Sequence, residues 1–167
     1  TNFESVIRSN SPFNSSYADE SFSARGRFQR SFGKYRATAK GNFTYTKFNQ
    51  FIQNTPSVNE NYLQTYGLEF RTNFKKAPNV ELAYNYTIQD NDQGSSRSKF
   101  YTKAPSIEFD ALILERLTFK TSYAYNNFSD EERTINTFDF WDASLAYRKD
   151  KDAKWEFELK ATNLLNT

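Results

Sequence analysis

The sequence predicts an all-β chain that folds as an antiparallel meander of about eight long strands. Apolar and polar residues alternate over long stretches, which is the period of a strand with one apolar and one polar side. From Tyr35 to Tyr45, for example, the odd positions carry no charge and the even positions are all polar. Aromatic residues make up 18% of the chain, but hydrophobic residues altogether only 37%. The apolar surface is therefore expected to be a thin aromatic layer instead of an aliphatic core.

Eight strands are expected, at residues 18–32, 35–52, 62–74, 80–89, 100–113, 117–128, 138–149 and 155–165. Residues that face each other across a hairpin must share a side of the sheet, and this parity test selects the pairing. The facing pairs beside the turns after strands one, three, five and seven are Phe32–Tyr35, Phe74–Val80, Ile113–Leu117 and Arg148–Glu156. Gly33 suits the first position of a two-residue type II′ turn. Asp110 is expected opposite Lys120, as a cross-strand ion pair.

The connections are expected to alternate in length. Those just described have about two to five residues, a length typical of hairpins, whereas the other three are longer and polar, at residues 53–61, 90–99 and 129–137. Expected strand lengths of about 12 to 16 residues exceed the usual five or six but suit a tilted wall across a bilayer. Aromatic residues also gather beside the short turns, as in an interfacial girdle: Phe28, Phe32, Tyr35, Phe74, Tyr147, Trp155 and Phe157.

These features favour a transmembrane β-barrel whose aromatic face contacts lipid and whose polar face lines the lumen. The alternative is a soluble β-barrel or sandwich with the apolar face inward, binding an apolar ligand. Positive and negative residues are balanced on the polar face, so a charge-selective pore is not indicated. No apolar run approaches the roughly 18 to 20 residues that a membrane helix needs.

The composition excludes several function classes. The chain has no Cys and no His, which excludes thiol nucleophiles, Ser-His triads, imidazole acid–base catalysis and zinc sites of the common kinds on this chain. No carboxylate has an evident catalytic neighbour. We therefore expect neither enzymatic activity nor a cofactor. The net charge of +2 is too small to indicate a basic surface for nucleic acid, so no nucleic-acid partner is expected.

Eight strands could close into a complete small barrel with a structural or adhesive role. In such barrels both ends lie on the short-turn side, whereas here the first expected strand begins, and the last ends, on the long-loop side. We therefore expect a segment of a larger barrel. Residues 1–17 are then the end of a preceding strand and an extracellular loop, and residues 18–167 are four hairpins of a barrel that continues beyond the C-terminus.

The stretch "ELKATNLLNT" at residues 158–167 resembles the signature near the C-terminus of TonB-dependent outer-membrane receptors. In that family an Asn-Leu-Leu/Phe-Asn stretch closes the penultimate strand, and the matching residues here are Asn163, Leu164, Leu165 and Asn166. The abundance of Tyr, Phe, Asn and Lys is similar to receptors of Bacteroidota, including SusC-like ones. The chain departs from a full receptor because it lacks a plug domain, a TonB box, the early strands and the final aromatic strand.

The resemblance implies a plugged 22-stranded barrel in the cell outer membrane, of which this chain would form about strands 14 to 21. It implies TonB-dependent uptake of a bulky nutrient such as a glycan, a peptide or a metal chelate. The implied partners are outer-membrane lipid, the TonB complex through a plug domain that is not in this chain, and a SusD-like surface lipoprotein.

Substrate contacts are expected in the loops and the upper lumen, since loops on a rigid scaffold carry recognition. The candidates are Asn54, Asn59, Asp90, Asp92, Arg97 and Asn127. In "DNDQG", Asp90 and Asp92 resemble the start of a calcium-binding loop. The ligand at the fifth position and the distal Glu are absent, so we expect a solvated turn and no metal site.

Overall fold

A computed structural model describes residues 19–52, 55–75, 78–94, 96–113, 116–149 and 154–165. These residues form one open antiparallel sheet in which each strand pairs with its neighbours in sequence. The strands are β1 (Glu20–Phe32), β2 (Tyr35–Ile52), β3 (Thr55–Thr72), β4 (Asn79–Asp92), β5 (Arg97–Ile113), β6 (Leu117–Ser129), β7 (Thr134–Arg148) and β8 (Glu156–Ala161). The predicted all-β antiparallel meander is confirmed. None of the described residues forms a helix long and apolar enough to cross a membrane.

The sheet is a single layer with two unlike faces. The apolar face carries the even-numbered residues of β1, β3 and β4 and the odd-numbered residues of β2 and β5 to β8, and the polar face carries the others. Large side chains of the apolar face are exposed, with Phe28 at 68% and Leu68 at 62%. Among the described hydrophobic residues only Ala111 is buried, at 8% exposure. The described sheet therefore has no hydrophobic core.

Three of the four predicted facing pairs are confirmed: Phe32–Tyr35, Ile113–Leu117 and Arg148–Glu156. Asp110 also faces Lys120 as predicted. At the first turn Gly33 has a φ of 61°, and Lys34 is not among the described residues with positive φ. A positive φ at the first position alone fits the predicted type II′ turn and not type I′.

The predicted pairing of Phe74 with Val80 is wrong by two residues. It would place Phe70 opposite Tyr84, whereas in the structure Phe70 faces Leu82. The side chain of Asn79 closes this turn. Its Oδ1 accepts from the Phe74 backbone N–H at 2.5 Å and its Nδ2 donates to the Phe74 carbonyl at 3.2 Å, so β4 begins inside the expected loop. A shift of two residues keeps every side chain on its predicted face.

The predicted contrast between short turns and long loops is also wrong. The rim that was expected to carry long loops, here called the distal rim, is formed by connections at residues 53–54, 93–96 and 130–133. The opposite, proximal rim is formed by residues 33–34, 73–78, 114–116 and 149–155. β3 begins at Thr55 and not at residue 62. At these strand ends both faces are polar, so the sequence shows no alternation and resembles a loop. The backbone hydrogen bonds between the strands nevertheless continue there.

The last strand is shorter than predicted, since β8 ends at Ala161 and not at residue 165. Asn163 has a φ of 52°, a left-handed conformation that Asn tolerates better than most residues. Its N–H donates to Asp142 Oδ1 at 2.9 Å, and the next N–H, of Leu164, donates to the Trp141 carbonyl at 2.9 Å. The chain therefore turns out of β8 while it stays bonded to β7. Residues 1–17 lie outside the described residues.

Candidate ligand-binding surface

The structure separates the predicted site residues. Asn59 lies on the polar face near the distal rim, where it faces Phe48 and is 6% exposed. Four of the others lie on the apolar face, toward the same rim: Asp90, Asp92, Arg97 and Asn127. Asn54 lies outside the described residues. The predicted set therefore does not form one cluster, although Asp90 and Arg97 contact each other.

Asp90 and Arg97 form a bidentate ion pair between β4 and β5. Arg97 Nε and Nη2 donate to the two carboxylate oxygens at 2.9 and 2.7 Å. The Asp90 side chain is 10% exposed and that of Arg97 is 64% exposed. The hydrogen bonds from Arg97 lower the pKa of Asp90 below its ordinary value. Because two parallel bonds fix the geometry of both side chains, this pair ties the distal ends of the two strands together.

The calcium-like stretch forms a turn. Asp92 Oδ1 accepts from the Gly94 N–H at 2.8 Å, and Gly94 has a φ of 79°, which a residue without Cβ adopts easily. Asp90 is already bonded to Arg97. Within the described ranges no three acidic residues lie close enough to hold a metal ion.

Replacing Asp90 by Asn is expected to destabilise the chain near neutral pH, and this effect should shrink progressively as the pH falls below about 4. The ionised carboxylate binds Arg97 in the folded state, so its folded pKa lies below its unfolded pKa of about 4. Its stabilising contribution is present above that unfolded value and is lost as the pH falls through the folded pKa. Urea titrations of both proteins in lipid vesicles from about pH 7 to about pH 3 measure this. A difference that stays constant between these two pH values would contradict it.

The proximal half of the polar face is charged. Arg36 pairs with Glu69 at 3.8 Å and Arg71 with Glu81 at 3.2 Å. A groove of about 310 Å³ opens beside them, and its charged lining residues are Arg71, Glu108, Asp110, Lys120, Asp142 and Lys160. Since this half of the face carries positive and negative residues in similar numbers, it favours neither anions nor cations.

The distal half of the polar face is uncharged and carries amides, hydroxyls and phenyl rings. It consists of the polar-face positions within residues 44–48, 59–65, 85–91, 98–104, 124–128 and 136–140. The Phe100 and Phe128 rings stack with centroids 5.3 Å apart, and Phe138 meets Phe140 edge-on at 5.6 Å. These four residues are not among the site residues predicted from the sequence. The signal was present in the sequence, since the parity of each strand places these phenyl rings with the polar residues.

Polar atoms are satisfied differently on the two faces. Among the described residues, the buried side-chain nitrogen and oxygen atoms without a hydrogen-bond partner all lie on the polar face: Arg36 Nε, Thr38 Oγ1, Asn42 Oδ1, Asn61 Oδ1 and Asn91 Oδ1. On the apolar face, Trp141 Nε1 donates to Thr121 Oγ1 at 2.9 Å and the Tyr66 hydroxyl to Gln64 Oε1 at 2.8 Å. The polar face thus contains buried polar atoms without a partner, three of them amide oxygens, whereas the Trp141 indole and the Tyr66 hydroxyl on the apolar face bond within the chain.

The distal half of the polar face is the candidate site, because it combines amides and hydroxyls with the exposed rings of Phe138 and Phe140. The described residues of this surface offer a ligand amides, hydroxyls and phenyl rings. No protein-family model, no curated protein and no solved structure matches this chain.

Proposed function

We propose that this chain is part of the barrel wall of a TonB-dependent receptor in the outer membrane, which takes up a bulky nutrient through its lumen. The observation that carries the proposal is the single-layer sheet with an exposed apolar face. Burying such a face contributes roughly 25 cal/mol per Å² of apolar surface removed from water. A bilayer would remove this whole surface from water, while the polar face would remain wet.

The dimensions of the apolar face support this proposal. A transmembrane strand needs about 9 to 11 residues, and the apolar face is uncharged from Tyr35 to Tyr45 in β2 and from Val80 to Ile88 in β4. In β1, β5 and β7 this face carries one charged residue each beside the stretch, Arg30, Lys103 and Asp139. Toward the distal rim the same face becomes charged, at Lys47, Glu60, Asp90 and their neighbours. A band of this height, flanked by polar residues, suits the hydrocarbon layer.

The open sheet supports a barrel of more than eight strands. In the described residues β1 pairs only with β2 and β8 only with β7. Exposed edges are sites of uncontrolled pairing, which native proteins cover or close, and in lipid every backbone group needs a partner. We infer that further strands cover both edges. The number 22 and the plug come from the resemblance of the "NLLN" segment to the receptor family.

The two alternatives fit the sheet less well. A complete eight-stranded barrel would pair β1 with β8, and the described strands do not do so. A soluble barrel with an inward apolar face would bury that face, whereas Phe22 is 58% and Leu68 is 62% exposed.

Nitroxide labels at four consecutive positions of β4 test which face meets lipid. The chain contains no cysteine, so single cysteines at Tyr84, Asn85, Tyr86 and Thr87 can be labelled in outer-membrane fractions. We expect collisions with oxygen, which concentrates in lipid, to dominate at residues 84 and 86. Collisions with a water-soluble nickel complex should dominate at residues 85 and 87. Accessibility without a period of two, or with the opposite phase, would refute the proposed orientation.

A further inference from the structure

The distal half of the polar face is an uncharged surface that extends over six neighbouring strands. It consists of the polar-face residues, every second position starting with the first, of ranges in six strands: residues 44–48, 59–65, 85–91, 98–104, 124–128 and 136–140. We propose that this surface binds a neutral oligosaccharide. The inference rests on the proposed function and narrows its substrate to one class.

The first argument is charge. Charged residues make up 25% of the chain, yet none of the polar-face positions in the six distal ranges is charged. Lys47, Arg97 and Lys99, near the distal rim, lie on the opposite face, and Arg97 is bonded to Asp90. Arg133 is exposed in the connection at residues 130–133, which also carries three carboxylates. Anionic ligands are usually held by Arg or Lys. An anionic metal chelate or an acidic glycan would find no counter-charge here.

The second argument is the phenyl rings. Phe138 and Phe140 are 39% and 45% exposed on a face that is otherwise polar, and the Phe100–Phe128 stack lies beside them. A phenyl ring cannot donate or accept an ordinary hydrogen bond. Exposed phenyl rings on a polar face therefore indicate a ligand that has an apolar part for them to contact. The C–H faces of sugar rings are such a surface, and they carry no charge.

The third argument is the hydrogen-bonding groups next to the rings. Asn61 faces Asn91 across β3 and β4, and the amide oxygen of each is buried without a partner among the described residues. A row of hydroxyls, Thr65, Thr87 and Thr102, continues across three strands to Phe128. Amides and hydroxyls both donate and accept, which matches the hydroxyl groups of a sugar. A peptide backbone could use the same groups, but a typical peptide would also bring charges.

The size of the surface fits an oligomer. Six adjacent strands at about 4.8 Å spacing extend over roughly 24 Å, enough for several sugar units. Because bonding groups and rings are distributed across this width, a longer oligosaccharide would gain contacts that a monosaccharide cannot make.

Binding by the full protein in detergent tests the proposal. The probes are neutral hexasaccharides (laminarihexaose, xylohexaose, cellohexaose and mannohexaose), hexagalacturonic acid, a ferric tris-catecholate and an uncharged hexapeptide. We expect a neutral hexasaccharide to bind most tightly, with an affinity that is unchanged between about 50 and about 500 mM salt, because no ion pair is involved. Phe128→Ala should weaken that binding about tenfold through the lost ring contact, whereas Phe109→Ala, a matched change on the apolar face, should weaken it less than about twofold.

Preferential binding of the acidic saccharide, the chelate or the peptide would overturn the proposal, as would the absence of binding by every neutral saccharide. Equal loss in both Phe variants would overturn the assignment to this surface. Phe128→Leu keeps an apolar side chain of similar size and serves if Phe128→Ala does not fold. The nitroxide labels report on lipid contact independently, so the oligosaccharide inference can fail while the transporter proposal stands.

Discussion

Replacing Leu68 by Arg is expected to lower the free energy of unfolding in lipid vesicles by about 2 to 4 kcal/mol, the cost of a cation on the lipid face near the middle of a bilayer. Leu68 faces Ala39 and Tyr84 in the centre of the uncharged band and is 62% exposed. In water an arginine at so exposed a position would cost little. The large cost arises only if the side chain projects into hydrocarbon, so urea titration in vesicles measures lipid contact directly.

The matched control is Ala83→Arg, which introduces the same side chain at the same height on the polar face. Ala83 faces Glu69, which offers the new guanidinium a carboxylate, and we expect a change of less than about 0.5 kcal/mol. If the two variants were equally destabilised, the two faces would have the same environment and the barrel-wall proposal would fail.

The sequence predicts the strands and their faces well because both follow from the two-residue period alone. Parity cannot detect a shift of two residues, however, and that is the error at the β3–β4 turn. There the register is set by the side chain of Asn79, which bonds to the backbone at Phe74. Such a contact depends on the three-dimensional closure of the turn, so it cannot be predicted from the alternation of apolar and polar residues.

The distal rim was harder to predict for a different reason. Its strand ends carry polar residues on both faces, as at Glu60, Asp90 and Asp92, so the contrast that marks a strand disappears although the ladder continues. The residues of the candidate site were also only partly predicted. Asn59 was predicted and lies on the polar face, but the stack of Phe100 on Phe128 joins β5 to β6, beside a register irregularity at Phe128/Ser129. Only the folded register brings Phe100 and Phe128 together.

Replacing Thr121 by Val is expected to destabilise the chain by about 1 to 3 kcal/mol, the cost of leaving a polar group without a partner away from water. Thr121 Oγ1 accepts from Trp141 Nε1 at 2.9 Å and donates to the Asp142 carbonyl at 2.9 Å. Both side chains lie on the apolar face. Valine keeps the shape but not the hydroxyl, so the indole N–H loses its acceptor, and hydrocarbon offers no replacement.

The double variant Thr121→Val/Trp141→Phe separates this mechanism from simple loss of packing. Removing both partners leaves no orphaned indole N–H, so part of the stability lost in Thr121→Val should return although the double variant has lost more atoms. Urea titration of the wild type, both single variants and the double variant in vesicles completes the cycle. If this face met water, solvent would bond to the freed indole N–H and Thr121→Val would cost little. An additive cycle with a small Thr121→Val effect would therefore place the apolar face in water and contradict the membrane assignment.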